Sequence, residues 1–385
     1  MSKYKGISVD GECIEVKVSG KIIESVANID VDKSLPLIAV PLVDTQNNGA
    51  LGIGYNNCSD KVDQFSAMAR FSQSHGIGKI LLTTTTCPAE RLQKSGKAIS
   101  DFFDKNEELK KFFSGVFHEG IYMSKQDGWR GAHSLEYIKD PDYEEFKETN
   151  KCFNNTIKLV NIAPEEPGAL GFIEKAVSDG VRVSIGHACP NAEEVANAVK
   201  CGATMVTHFG NGAHTTVHRH HNPFWSFLAH DELSLGIIAD SHHLPVDIIS
   251  TVFKAKTKDK VNLVSDCSSI TGFKAGNYGE TGVSVTLEKD GYLHITGEEI
   301  LAGAWHQLDK GVEVLCQMGW ELKDAWKQCS EMPAKQFDID LTPIAAGEPA
   351  DFVLSSYSNE NGLVLSQVVM DGEEIKPLPV NPVED

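Results

Sequence analysis

Two short apolar runs, RVSIGHA (182–188) and ATMVTHFGN (203–211), each lead into a histidine, His187 and His208. Other apolar runs end in residues of related chemistry. FFSGVFHEG (112–120) brings His118 and Glu119, IKLVNIAPE (157–165) brings Glu165, and VNLVSDCSS (261–269) brings Asp266. LSLGIIADS (233–241) brings Asp240, with His242 and His243 just beyond it. The first run, IAVPLVDTQ (38–46), offers Asp44 and Gln46, followed by Asn48. A single histidine at a strand end is ordinarily a hydrogen-bonded structural residue. Glutamate, two histidines and aspartate on one rim are different. Neutral imidazole nitrogens and carboxylate oxygens can hold a divalent cation and leave a coordination position open. Cys189 and Cys267 lie nearby in sequence and read as small packed residues rather than thiolate ligands.

Eight apolar, β-branched runs recur along the chain, the seven above and ILLTTTTC (80–87), with helix-like segments between them. Continuous apolar runs suit parallel strands covered on both faces. The link from His187 to Ala203 is a compact crossover. Asn191 caps its helix with Glu194 as capping-box partner, Val195, Ala196, Ala198 and Val199 supply the buried face, and Gly202 ends it. Eight strand-plus-crossover units predict an α/β fold, a (β/α)8 TIM barrel, with a doubly wound open sheet as the alternative. In such barrels the C-terminal strand ends carry the active site. Residues 1–37 and 346–385 alternate as hairpin-like strands, each too short for a core alone. They are expected to form one small β-domain beside a barrel domain over residues 38–345.

The composition is that of an ordinary globular chain, 41% hydrophobic and 23% charged. A formal net charge of −19 repels nucleic acid and anionic membranes, so neither is expected as a partner. No apolar run approaches the ~18 residues of a membrane span, and the N-terminus lacks a signal-peptide core. Nine cysteines without a CxxC pair read as free thiols in a reducing cytoplasm.

The order and spacing of HEG (118–120), RGAH (130–133), APE (163–165), GHA (186–188), THFGNGA (207–213), IADSHH (238–243) and SDC (265–267) resemble the N-acetylglucosamine-6-phosphate deacetylases of the amidohydrolase superfamily. The resemblance runs over nearly the whole chain, and GEPADFVL (347–354) is similar to the family's closing β-strand. It implies Glu119, His187 and His208 as metal ligands and Asp266 as the catalytic aspartate. It further implies substrate contacts at Ala132, His133, Asn211, Gly212, Arg219 and His243, the last two facing the sugar phosphate. Leu301, Ala302 and Gly303 fall on a substrate loop. Glu165 matches a family glutamate read here as structural.

Two departures stand out. The family's H-x-E-G-P becomes Phe117-His118-Glu119-Gly120-Ile121, which turns the histidine to the other face of a regular strand. The loop after the sixth run carries His214, His218, His220 and His221 around Arg219. Many amidohydrolases hold a second metal through an H-x-H pair on the first strand, where this chain has Gln46 and Asn48. Neutral amides are poor ligands, so one divalent metal ion is expected: zinc by ligand type, with iron, cobalt or manganese open. The implied reaction is metal-dependent hydrolysis of the acetamide of N-acetylglucosamine-6-phosphate. Deacetylation of a different N-acyl amino sugar, or a non-catalytic sugar-phosphate- or metal-binding barrel, is the alternative. The resemblance also implies a homodimer, for which the aromatic loop HNPFWSF (221–227) offers an interface surface.

Overall fold

The computed structural model describes residues 1–280 and 283–381. Residues 382–385 of the segment assigned to the small β-domain lie outside the described residues. Eight strands make one parallel sheet: β1 (Leu42–Asn47), β2 (Ile77–Thr84), β3 (Phe113–His118), β4 (Ile157–Ile162), β5 (Arg182–Ile185), β6 (Met205–Val206), β7 (Ser234–Ile238) and β8 (Val261–Val264). Each strand pairs with the next in sequence and the order never reverses. A doubly wound sheet would need such a reversal. The two edges meet along the C-terminal half of β1 and just past the end of β8. The Asp266 amide donates to the Gln46 carbonyl and the Asn48 amide to the Cys267 carbonyl, both at 2.9 Å. The Ser265 amide and hydroxyl both donate to the buried Asp44 carboxylate, at 3.1 and 2.5 Å. The sheet therefore closes as a TIM barrel.

The outer layer is built from α1 (Phe65–Ser74), α2 (Ala89–Phe103), α3 (Tyr143–Cys152), α4 (Ala169–Ser178), α5 (Ala192–Lys200), α6 (Pro223–Ala229), α7 (Val246–Ala255) and α8 (Asp309–Gln317). α5 carries the expected capping box: the Asn191 side chain accepts from the Glu193 and Glu194 amides, and Glu194 accepts from the Asn191 amide. Such a cap contributes about 1 kcal/mol. Val195 and Ala198 are the buried residues of α5, whereas Ala196 faces solvent, so its buried stripe is narrower than the sequence suggested. Inside the barrel, Val43, Leu81, Phe117, Leu159 and Met205 pack on Ala334, Phe337 and Ile339. The helix Glu331–Phe337 thus contributes apolar residues to the barrel interior.

The run 38–46 is two strands rather than one. Leu37–Ala39 joins the terminal sheet, and β1 starts only at Leu42. Pro41, which has no amide hydrogen to give a ladder, lies between them. The terminal sheet has seven strands in the order Glu373–Ile375, Gly362–Met370, Phe352–Ser358, Leu37–Ala39, Ser2–Ser8, Cys13–Ser19, Ile22–Asn28. Both chain ends share its core, where Tyr4 meets Phe352 edge-on at 5.0 Å. After β8 comes an antiparallel sheet the sequence reading lacked, Gly276–Glu280, Val283–Leu287 and Leu293–Ile295, whose core includes Ile270, Val285 and Leu293. Among the described residues no helix is long and apolar enough to cross a membrane.

Candidate active site

Side-chain alternation along β3 sets the first candidate ligand. Phe117 packs inside the barrel, so Glu119 two residues on faces the same way and His118 faces outward. His118 is buried against Tyr122 and Phe146, its Nδ1 is 2.9 Å from the Thr84 hydroxyl, and burial pushes its pKa down to about 4. It is a core histidine and takes no part in the site.

Glu119, His187 and His208 meet at the C-terminal end of the barrel. His208 Nε2 lies 2.9 Å from Glu119 Oε1 and 2.9 Å from His187 Nε2, and His187 Nε2 lies 3.5 Å from the same Glu119 oxygen. Donor atoms about 2.0–2.2 Å from a tetrahedral zinc ion stand about 3.3–3.6 Å from each other; the His187–Glu119 separation falls in that range, and the two made by His208 are a few tenths of an ångström shorter. The donor set fits a divalent cation. His187 is oriented for this by a second contact: its Nδ1 is 3.1 Å from the Trp129 carbonyl, so a hydrogen there leaves the Nε2 lone pair facing the centre. Glu119, His133 and His187 also bring ligand atoms within 4.8 Å of one another. The set with His208 is tighter, and the Nδ1 of His133 is engaged by the Thr86 hydroxyl at 2.9 Å. Burial would raise the Glu119 carboxyl, but hydrogen bonds and charge from His187 and His208 hold it well below the usual carboxylate range.

Asp266 sits beside this centre. Its Oδ1 accepts from Gln46 Nε2 at 3.1 Å and Asn48 Nδ2 at 2.7 Å, and Gln46 Nε2 also donates to Glu119 Oε1 at 2.9 Å. Gln46 thus ties Asp266 to Glu119, with Asn48 as a second donor to the aspartate. Burial, and then the nearby Glu119 charge, push the Asp266 carboxyl up to about 7. Burial and the neighbouring His187 push His133 down to about 3, so it is a neutral imidazole near pH 7. His187, His208 and Asp266 all take left-handed backbone, with φ of 49°, 27° and 50°. Such backbone costs of order 1–3 kcal/mol per residue and gathers at functional sites.

A cavity of about 660 Å³ opens above these residues. Ala132, His133, Asn211, Gly212, His243, Leu301, Ala302 and Gly303 all line it. Gly212 has a definite steric reason: its φ is +56°, and a Cβ there would stand 2.6 Å from His187 Nδ1. His243 is fixed by Asp240, whose Oδ2 lies 2.7 Å from His243 Nδ1 and whose Oδ1 accepts from the amides of His242 and His243. Burial works against the Asp240 charge, yet His243 and these hydrogen bonds hold its carboxyl well below the usual range.

Arg219 is the exception among the expected contacts. It is exposed and absent from the cavity lining, and its carbonyl accepts from the Trp225 indole at 2.9 Å. His214 reaches the lining, while His218 Nδ1 accepts from the amides of His220 and His221, so His218 serves the loop's own fold. Of the aromatic loop, Trp225 is 58% exposed, whereas Phe227 is buried and Phe224 packs on Phe209 and Trp129. The sequence reading passed over Thr86, the Trp129 carbonyl and Arg91, which also lines the cavity. Only the threonine run at 83–86 gave a signal, as hydroxyls clustered at a strand end.

No family model matches the chain. Among curated proteins it is 27% identical to N-acetylglucosamine-6-phosphate deacetylase of Vibrio furnissii, over 86% of this chain and 82% of that one. The chain resembles the N-acetylglucosamine-6-phosphate deacetylases. It is also 25% identical to N-acetylgalactosamine-6-phosphate deacetylase of Escherichia coli O157:H7, over 93% of this chain and 94% of that one. A solved mutant N-acetyl-D-glucosamine-6-phosphate deacetylase from Mycobacterium smegmatis, in complex with N-acetyl-D-glucosamine-6-phosphate, shares the fold at a TM-score of 0.82 and 19% identity. That match covers 97% of this chain and all of the other.

Proposed function

We propose that this chain is a divalent-metal-dependent amidohydrolase that converts N-acetylglucosamine-6-phosphate to glucosamine-6-phosphate and acetate. The convergence of Glu119, His187 and His208 beside Asp266 carries the reading, supported by the deacetylases it resembles. Glu119, His187 and His208 hold the ion, zinc by donor type. A bound divalent ion supplies Lewis acidity, lowering the pKa of water towards about 7 and polarising the acyl carbonyl. Asp266 takes a proton from the attacking water and delivers it to the departing nitrogen. Its Oδ1 is engaged by Gln46 and Asn48, which leaves Oδ2 to carry that proton. His133, neutral and held by Thr86, donates its other ring N–H to the acyl oxygen as negative charge grows there.

Ala132, Asn211, Gly212, Leu301, Ala302, Gly303 and His243 enclose the sugar. Arg219 is exposed and does not line its own cavity; in this reading it serves the phosphate of a second copy, making the chain a homodimer through the face that bears Trp225. Residues 38–345 carry the catalysis, with 1–37 and 346–385 as the small β-domain. A cytoplasmic location fits the nine unbridged cysteines.

The test is acetate release from N-acetyl sugars by the metal-loaded chain, with and without a 6-phosphate. N-acetylglucosamine-6-phosphate should be the best substrate. A preference for the galactosamine epimer would favour the second reading, which the E. coli relative supports. No acetate from any sugar would leave a non-catalytic binding barrel. Light scattering should give twice the 42.0 kDa of one chain, and a monomer at micromolar concentration would remove the dimer.

A further inference from the structure

The chain has five arginines. Three are paired with carboxylates: Arg70 with Glu373, Arg130 with Asp127 and Arg182 with Asp338. Arg219 is exposed outside the cavity. Arg91 is half-buried on the cavity wall and has no ion-pair partner among the described residues. No other arginine and no lysine lines the cavity among those residues, which otherwise carry the carboxylates of Glu119, Asp127, Asp266 and Glu299.

Two features mark Arg91 as more than a surface cation. It lies in the first turn of α2, where the helix presents its positive end, an unfavourable place for a cation that lacks an anion. It also lines the same cavity as the reacting centre. The loop just past β2 supplies Thr86, which holds His133, and Cys87 follows on the same wall. Arg91 and Cys87 line that wall together; burial pushes the Cys87 thiol up to about 11, and the Arg91 charge opposes it. A residue that breaks a local rule without a structural partner is expected where function requires it.

We propose that Arg91 is the cation through which each protomer's own cavity binds an anionic oxyacid group of the substrate, a phosphate monoester or a carboxylate. The proposal rests on the deacetylase reading for the identity of that substrate. A planar guanidinium gives paired, charge-assisted hydrogen bonds to either anion. It also gives a strongly acidic chain a local reversal of field at the mouth of its site.

The experiment compares wild-type, Arg91→Ala, Arg91→Gln, Arg91→Lys and Arg219→Ala chains, all full-length and metal-loaded. Steady-state kinetics use N-acetylglucosamine with and without its 6-phosphate. Titration calorimetry uses inorganic phosphate and succinate as probes. In Arg91→Ala and Arg91→Gln, KM for the phosphorylated sugar should rise about 10- to 100-fold, the loss expected for a charge-assisted pair, and far more than KM for the unphosphorylated sugar. Arg91→Lys should recover part of the loss, because it keeps the charge without the fork. The probe whose affinity falls more identifies phosphate or carboxylate as the source of the anion. Equal KM changes for the two sugars, or phosphate and succinate affinities unchanged by Arg91→Gln, would overturn the proposal. If the wild type hydrolyses no phosphorylated sugar, the deacetylase reading fails, and the calorimetric arms alone decide on Arg91.

Discussion

Replacing Asp266 with asparagine separates shape from proton transfer unusually cleanly. Both hydrogen bonds that fix the side chain go to Oδ1, from Gln46 Nε2 at 3.1 Å and Asn48 Nδ2 at 2.7 Å. An asparagine keeps that oxygen and both bonds. It also tolerates the left-handed φ of 50°, which alanine would strain. What disappears is the second carboxylate oxygen and its lone pairs. Loss of a general base costs about 10²- to 10⁴-fold in rate, or about 2.7–5.4 kcal/mol of transition-state stabilisation. Asp266→Asn should therefore fold, retain its metal and bind substrate, while kcat falls by that amount. The acidic limb of the wild-type kcat/KM profile should vanish as well. Burial and Glu119 raise the carboxyl to about 7, and a bound cation draws it lower, so activity falls as pH drops through the resulting value. The assay is acetate release across pH, with metal content measured on the same samples. Near-normal turnover in a metal-loaded Asp266→Asn protein would refute the assignment.

Metal analysis after extensive dialysis should give about one equivalent per chain, falling sharply in His187→Ala and His208→Ala because each leaves the other donors without a complete set. Two tightly held equivalents that survive changes at Gln46 and Asn48 would mean that the rim holds further ligands. Glu165 should weaken the fold as pH rises: burial lifts its carboxyl from 4.5 to about 7, so folding keeps a proton that the unfolded chain releases above pH 4.5. That stabilisation, about 3 kcal/mol, is complete below pH 4.5 and lost as pH climbs through 7. Glu165→Gln, which keeps an oxygen for the Cys189 amide, should lose this slope in denaturant titrations at pH 5 and 8. Parallel wild-type and variant curves would contradict it.

The sequence by itself determined the eight barrel strands and the residue types at their ends, though not the antiparallel sheet that follows β8. Eight β-branched runs separated by amphipathic crossovers point to a parallel α/β sheet, a barrel with a doubly wound sheet as the alternative, because strand and helix periodicities are local properties, and the capping box of Asn191 and Glu194 is local too. Strand ends drew attention to Glu119, His187, His208 and Asp266, and the resemblance to the deacetylases singled them out from His118, Glu165 and Asp240. Their assembly was not legible. Glu119 is 89 residues from His208, and Gln46 is 220 residues from Asp266, so only barrel closure brings these side chains within hydrogen-bonding distance. Tertiary structure also decided the direction of neighbouring side chains. His118 and Glu119 are adjacent and chemically alike as ligands, yet the packing of Phe117 sends one into the helical layer and the other into the site. It split the run at Pro41 between two sheets, because each half finds different hydrogen-bond partners. It left Arg219 outside the cavity and put Arg91 on its wall, since a loop's path and a helix's rotation depend on what they pack against, and composition carries neither.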